Sequence, residues 1–323
     1  MTPVLSVCIP NYNHGSVLKE TLDAVFNQNL ENIEIIISDN ASSDNSLDII
    51  KNFTINSNTR ILKQKNKLIM PKHWNLVVEN STAEWTLVLS SDDVLLPNSL
   101  AIIKELIRNT AADVIFFEYD ILTKQGVIKK CPFYTDSANI SGNEQSKIFL
   151  KGNNYPLSAC VFRTNKLKQI GGFDEKKLFC TDWDAWLNLS EKSENVLYIK
   201  KPMFLYRLHD ANETNKCVEN LSALSEVIYM KEQFISKNKI TDPEIIYYAT
   251  VNNLKIAKKY AQIVKERQLG DALKYYNKQI KLLENQLESL KNFIRTSQNK
   301  QLSAPYPLPL GSKIIDLESL FTK

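Results

Sequence analysis

The sequence predicts an α/β fold: a mostly parallel central sheet flanked by helices, followed by an α-helical C-terminal extension. Three observations predict it. Short apolar, β-branched runs alternate with segments of helical periodicity from the start of the chain. Polar clusters, "PNYNH", "SDNASSD" and "SSDD", stand at the ends of three of those runs. From about residue 217 the strands stop and helical spacing alone continues.

The elements follow in order. "LSVCIPNYN" is an apolar strand running into turn residues, and "SVLKETLDAVFNQ" carries Val17, Leu18, Leu22, Val25 and Phe26 at helical spacing, with Ser16 as N-cap. "IEIIISD" is a strand, and "SSDNSLDIIKNF" a helix capped by Ser42 or Ser43, or by Asp44. "TRILKQ", "EWTLVLSSDD" and "ADVIFFEYDIL" read as strands, "MPKHWNLVVENS" and a capped "PNSLAIIKELIRN" as helices. "YPLSACVFRTNKLKQIGGFDE" gives a strand, a short helix and a Gly-Gly turn. "TDWDAWLNLSEK" is helical, and "VLYIKKPMFLYRLHD" is either a strand pair or one bent strand. Asp242-Pro243 starts a helix that carries Ala249, Asn253, Ile256, Tyr260 and Ile263. Leu269, Leu273, Tyr276, Ile280, Leu283, Leu287, Leu290 and Ile294 then alternate steps of four and three, a heptad seam. That seam suits either packing on its own domain or a coiled-coil homo-oligomer. The expected organisation is a domain over residues 1–215, a helical extension over 216–300 with its patterned helix at 269–294, and a Pro-rich tail over 301–323.

Bulk properties narrow the function. No apolar run approaches the ~18 residues of a membrane span, and "MTPVLSVCIP" has no basic leader region. Cys8, Cys131, Cys160, Cys180 and Cys217 are scattered without metal-binding spacing, as in a reducing compartment, so a cytoplasmic location is expected. The net charge of +4 is uneven, because residues 216–323 hold 17 Lys+Arg against 11 Asp+Glu. That basic end suits either a solvated helical surface or peripheral contact with anionic lipid at the inner face of the membrane. No RNP, zinc-finger or arginine-rich signature is present, so nucleic acid is not an expected partner.

"LVLSSDDVLLP" poses the chemical question, because Asp92 and Asp93 end an apolar strand. Adjacent carboxylates repel unless a cation relieves them. Mg²⁺ or Mn²⁺ would take one or two carboxylates and fill its other positions with water and substrate phosphates. The alternative is a pair of acids capping the helix at "PNSL".

Together these segments resemble family 2 glycosyltransferases, which have the GT-A fold with a Rossmann-like sheet. "VCIPNYNHGSVLKETLDAVFNQ" resembles the family's opening strand and helix, "IEIIISDNASSDNS" its nucleotide-binding turn, and "LSSDDVLLP" its metal-binding D-x-D region. "VFRTNKLKQIGGFDE" with "TDWDAWLNL" resembles the acceptor loop and the region carrying the base, and "YRLHD" the motif that closes the domain. The likeness covers about residues 4–212. It implies an inverting, metal-dependent transfer from a nucleotide-diphospho-sugar, of UDP type, to a saccharide or lipid-linked saccharide in surface polysaccharide synthesis.

The resemblance also implies roles. Pro10 and Tyr12 would lie at the nucleobase, and Asp39 or Asn40 would read its edge. Asn66 and Lys67 would lie near base and diphosphate, although Leu68 stands where the family often has Gly. Asp93 would bind the metal, and Asp92 the ribose or a metal-bound water. Ser90 stands where a further Asp is common. Arg207 would meet the diphosphate, and His209 the metal or the diphosphate. Asp182 would be the general base, with Asp184 its rival and Thr181 where Glu is usual. Trp183 and Trp186 are candidates for sugar stacking or for the core. Two other readings remain: a nucleotidyltransferase, against which the single Gly15 in "PNYNHGS" argues, and a catalytically silent scaffold that oligomerises through its C-terminal helices.

Overall fold

The computed structural model describes residues 2–53, 58–208, 213–294, 308–309 and 311–315. β1 (Leu5–Asn11) and β2 (Ile33–Asp39) are buried at every position. Parallel strands covered on both faces have no wet side, so their residues are apolar without alternation. β1 pairs in parallel with β2 and with β4 (Trp85–Val88), and β2 pairs in parallel with β3 (Thr59–Lys63). The crossovers are α1 (Gly15–Phe26), α2 (Ser46–Lys51) and α3 (Met70–Glu79). The chain builds outward through β2 and β3, then returns to the other side of β1 for β4. Strand order therefore reverses at β1, and the crevice beyond the carboxyl ends of β1 and β4 is where such sheets bind ligands.

After α4 (Ser99–Asn109) comes β6 (Val114–Thr123), separated from β4 by the antiparallel β9 (Cys160–Arg163). β10 (Asn195–Arg207) runs parallel to β6. Thus β3, β2, β1, β4, β6 and β10 share one direction, and β9 opposes them. β10 is one bent strand: its register slips on both sides of Pro202, which has no N–H to give the ladder. Short strands complete the sheet: β5 (Val94–Leu95) against β10, β7 (Gly126–Ile128) in a hairpin with β6, and β8 (Ala138–Ser141) against β10. α5 (Gly142–Lys151), α6 (Thr164–Gln169) and α7 (Thr181–Lys192) lie in the same region.

Several expected caps are replaced by longer-range partners. α1 begins at Gly15, not after Ser16, because Asp44 accepts the Gly15 N–H at 2.8 Å. α2 begins only at Ser46, since Ser42 and Ser43 give their N–H groups to Asp39 and Asn13. Asp44 does accept the Ser46 N–H at 3.0 Å, so one carboxylate serves two helix starts. At α4, Asn98 is left-handed (φ 65°) and makes no side-chain cap; Gln28 accepts the Leu100 N–H instead.

The C-terminal helices are α8 (Glu213–Glu219), α9 (Ser222–Lys237), α10 (Pro243–Glu266) and α11 (Gly270–Ile294). Asp242 caps α10 by accepting the Glu244 N–H, with Pro243 in the first turn. Leu224, Tyr260, Val264, Tyr276 and Leu283 share a second apolar core, and the Tyr276 hydroxyl donates to the Val218 carbonyl at 2.8 Å. The heptad seam therefore packs on its own chain through that core. Val227, Phe234 and Ala249 belong to the main core instead, so α9 and α10 tie the extension to the sheet. β11 (Lys313–Ile314) pairs with β8 and covers that edge of the sheet. The rest of the tail, at 301–307, 310 and 316–323, lies outside the described residues. Among the described residues no helix is long and apolar enough to cross a membrane.

Candidate active site

The three polar strand ends converge. Asn11, the last residue of β1, donates from Nδ2 to Asp39 Oδ1 (3.0 Å) and to Ser42 Oγ (3.3 Å). Asp39 is fully buried, and its other oxygen accepts the Ser42 N–H at 3.0 Å. These bonds fold "SDNASSD" back over the end of β1 and hold Ala41 at φ 57°, a backbone region costly for a residue with a Cβ. Asn40 makes a paired contact with Leu68: its Nδ2 donates to the carbonyl (3.0 Å) and its Oδ1 accepts the N–H (2.8 Å). Its amide thus anchors the loop carrying Asn66 and Lys67, both exposed. Pro10 is buried in β1, and the half-buried Tyr12 has the Lys67 ammonium 4.1 Å from its ring centroid. Tyr12 and Lys67 stand at one end of the crevice, and the buried Asp39 holds the turn next to them. Behind it the His73 imidazole meets Ser38 Oγ at 2.8 Å, and burial lowers its pKa to about 4.

At the end of β4 the two acids are unequal. Asp93 is 1% exposed, with Oδ2 accepting the Ser158 hydroxyl (2.6 Å) and Oδ1 the Arg207 backbone N–H (3.0 Å). Burial, then the neighbouring Asp92 charge, pushes its pKa well above the usual carboxylate range. Asp92 is half-buried and accepts the Ser90 hydroxyl at 2.6 Å. Ser90, where a further acid is common in the family, thus orients Asp92. Neither acid caps α4. Arg207 is tied down as well: Nε donates to the Asp92 carbonyl (2.7 Å) and Nη2 pairs with Glu20 (2.5 Å). His14 Nδ1 lies 2.8 Å from Ser91 Oγ, and Thr21 donates to the Ser91 carbonyl, so α1 fixes the same loop. His209 lies outside the described residues.

Asp182 sits in the first turn of α7 with Oδ1 on the Trp183 N–H at 2.6 Å. Burial raises its carboxyl to about 7, and no cation pairs with it among the described residues. Asp184 instead meets Lys177 Nζ at 3.1 Å. Trp186 is core, its Nε1 donating to the Tyr155 carbonyl, while Trp183 is nearly buried and donates to the Phe149 carbonyl. Two residues that sequence reasoning passed over link the acids. Tyr119 on β6 and Tyr206 on β10 stand with ring centroids 5.8 Å apart. Burial raises both phenols above their usual range, and Asp93 and Asp182 add to the shift at each. The end of β4 and the first turn of α7 thus both act electrostatically on one tyrosine pair. Their place on strands was legible, but the pairing of β6 with β10 across the chain was not. Ser158, the partner of Asp93, carries no local signal either.

Comparisons with known proteins bear on the family and the fold. The model of "Glycosyl transferase family 2" matches residues 6–171. "Glycosyltransferase GlyG" of Streptococcus pneumoniae is 32% identical over 124 residues, 37% of this chain and 41% of that protein. "GalNAc(5)-diNAcBac-PP-undecaprenol beta-1,3-glucosyltransferase" of Campylobacter jejuni is 26% identical over 209 residues, 64% of this chain and 65% of that one. The matched part thus spans less than two thirds of these relatives. The structure of S. aureus TarS 1-349 in complex with UDP-GlcNAc superposes with a TM-score of 0.58 at 14% identity, covering 98% of this chain and 99% of that one. The likeness extends through the helical extension and establishes the GT-A fold. With more than half its length matched by the family model, the chain belongs to glycosyl transferase family 2.

Proposed function

We propose that the chain is an inverting, metal-dependent glycosyltransferase. It moves a sugar from a nucleotide-diphospho-sugar, of UDP type, to a hydroxyl of a saccharide or lipid-linked saccharide in surface polysaccharide synthesis. The observation that carries the reading is the unequal pair of acids at the end of β4: Asp93 is held by the Ser158 hydroxyl and the Arg207 N–H, and Asp92 stands half-exposed beside it. The UDP-GlcNAc bound by TarS and the undecaprenol-linked name of the Campylobacter relative support the substrate classes.

Tyr12 and Lys67 flank the base, and Asp39 is the acid nearest its edge, while Asn40 is committed to Leu68. The donor set fits a hard divalent cation, Mn²⁺ or Mg²⁺. Among the described residues no three His, Cys, Asp and Glu side chains converge, so diphosphate and water would complete the shell around one or two carboxylates. We assign the direct contact to Asp92, half-exposed, rather than to Asp93, whose two oxygens already serve Ser158 and Arg207. His209 would add a ligand or a diphosphate contact. The cation supplies charge neutralisation for the departing diphosphate. Asp182 takes the proton of the acceptor hydroxyl as that oxygen bonds to the anomeric carbon and the bond to the diphosphate oxygen breaks. One displacement with one base inverts the anomeric centre. A carboxyl near pKa 7 is matched to this work at neutral pH. The basic extension suits a cytoplasmic enzyme working against the inner face of the membrane.

A thermal-shift screen of sugar nucleotides with and without Mn²⁺ tests the reading. At least one UDP-sugar should raise the melting temperature in the presence of Mn²⁺ and fail to do so in chelator. If no sugar nucleotide stabilises the chain under either condition, the proposal is wrong.

A further inference from the structure

Asp182 also lines a cavity of about 260 Å³ that the extension helps to build. Phe179, Asp182 and Trp183 form one wall, and Asn252, Ile256 and Tyr260 of α10 form the other. The α10 wall is anchored from behind. Lys231 on α9 is 1% exposed, and its ammonium donates to Asn252 Oδ1 (2.7 Å), Asn253 Oδ1 (2.8 Å) and the Ala249 carbonyl (3.3 Å). The same ammonium stands 4.8 Å from the Trp183 ring. Burial without a counter-charge pushes the Lys231 amine well below its ordinary range, and three acceptors and an aromatic face supply its partners. They also lock α9 and α10 onto the residue next to Asp182.

The lock decides what Asn252 presents. Its oxygen is taken by Lys231, whereas its amide nitrogen makes no hydrogen bond among the described residues. A Cβ at position 152 would come within 3.2 Å of that nitrogen, so Gly152 leaves it room. The cavity therefore combines aromatic rings, an apolar Ile256, an amide donor and a carboxylate acceptor. Aromatic walls suit the C–H faces of a sugar ring, and the amide and carboxylate suit its hydroxyls. Its volume is below the ~300–1,000 Å³ of sites for drug-sized ligands, a size for one ring rather than a chain.

We infer that the helical extension supplies one wall of the acceptor subsite: the cavity between α7 and α10 takes a single sugar ring of the acceptor, and Asn252 and Ile256 set which ring. This rests on the reading of Asp182 as the base. It gives the extension a part in substrate choice rather than in packing alone.

Methyl glycosides of glucose, galactose, N-acetylglucosamine and N-acetylgalactosamine serve as probes, read by saturation-transfer NMR on the full chain. UDP affinity with Mn²⁺ is measured beside them by calorimetry. At least one glycoside should bind the unaltered chain, and Ile256→Trp, which fills the cavity from a half-exposed position, should weaken it tenfold or more. UDP affinity should change by less than twofold. If the Trp variant fails to fold, Ile256→Phe, a smaller intrusion, carries the same comparison. UDP binding without any glycoside binding, or glycoside binding that ignores both substitutions, overturns the subsite alone. Failure of UDP to bind the unaltered chain overturns the donor reading beneath it.

Discussion

Asp182→Asn is expected to stabilise the protein while abolishing its chemistry. The folded carboxyl titrates at about 7, because burial outweighs its backbone N–H contacts. The unfolded chain ionises near the ordinary value of ~3.9. Between those values the folded state holds the extra proton, so stability falls as pH rises from about 4 to 7 and is level above. Three pKa units at 1.36 kcal/mol each give an upper figure of about 4 kcal/mol. Asp182 is only half-buried, and water screens part of this, so about 2 kcal/mol is the expected gain for Asn at pH 8. For a chain of this size that is roughly 3 °C in melting temperature. The assay is calorimetric melting of both proteins without nucleotide at steps from pH 4 to 8. Asp184, Lys177, Asp174 and Asp93 are common to both proteins and cancel in the difference. The gap should be near zero at pH 4 and open with pH, while sugar transfer falls by roughly 10²–10⁴-fold. A gap that stays constant with pH refutes the burial argument, and retained turnover refutes the base.

Asp92→Asn should weaken Mn²⁺-dependent UDP binding tenfold or more in calorimetry with little change in melting temperature, since Asp92 is half-exposed. Ser158→Ala should do the reverse. It strips one donor from Asp93 and the acceptor from the Ser90 N–H, which urea denaturation should register as a loss of about 1–3 kcal/mol. Tyr276→Ala should cost about 3–5 kcal/mol by emptying the second core, read as a lower melting temperature at fixed protein concentration.

The parallel half of the sheet was legible because short, mostly apolar and β-branched runs alternate with segments of 3.6-residue periodicity, a contrast that needs no tertiary information. Cap positions were less legible. Ser16, Ser42 and Ser43 all have cap chemistry, yet the N–H groups at the starts of α1 and α2 go to Asp44, which satisfies both. A cap within one turn competes with any carboxylate that the fold brings across, and sequence shows only the first. The antiparallel β9 was legible as a strand but not in its place between β4 and β6, because its partners lie about 80 and 45 residues upstream. The heptad seam shows a further limit. Its spacing is the same for a coiled coil and for a helix on its own core, and only the positions of Tyr260, Val264 and Leu224 favour the second.

In the site, residue types revealed that the strand ends hold chemistry, but not how the work is divided. Asp39 and Asn40 are adjacent and both are spent on scaffold, whereas Asp92 and Asp93 split between crevice and scaffold. Asn40 uses its whole amide on the Leu68 backbone. Asp93 uses both oxygens on Ser158 and Arg207, the latter 114 positions away in the chain. A polar side chain whose hydrogen bonds are already made inside the protein has little left to offer a ligand, and breaking them to bind one costs about what the ligand contact returns. That is why the proposal gives the metal contact to the more exposed Asp92, whereas the family resemblance gave it to Asp93. The same reasoning separates Asp182 from Asp184. Burial raises both carboxyls, but Lys177 pairs with Asp184, while Asp182 has no cation partner among the described residues and lines the cavity under α10. On the proposed reading, metal contact and proton transfer thus fall to the carboxylates that stay partly accessible, Asp92 and Asp182.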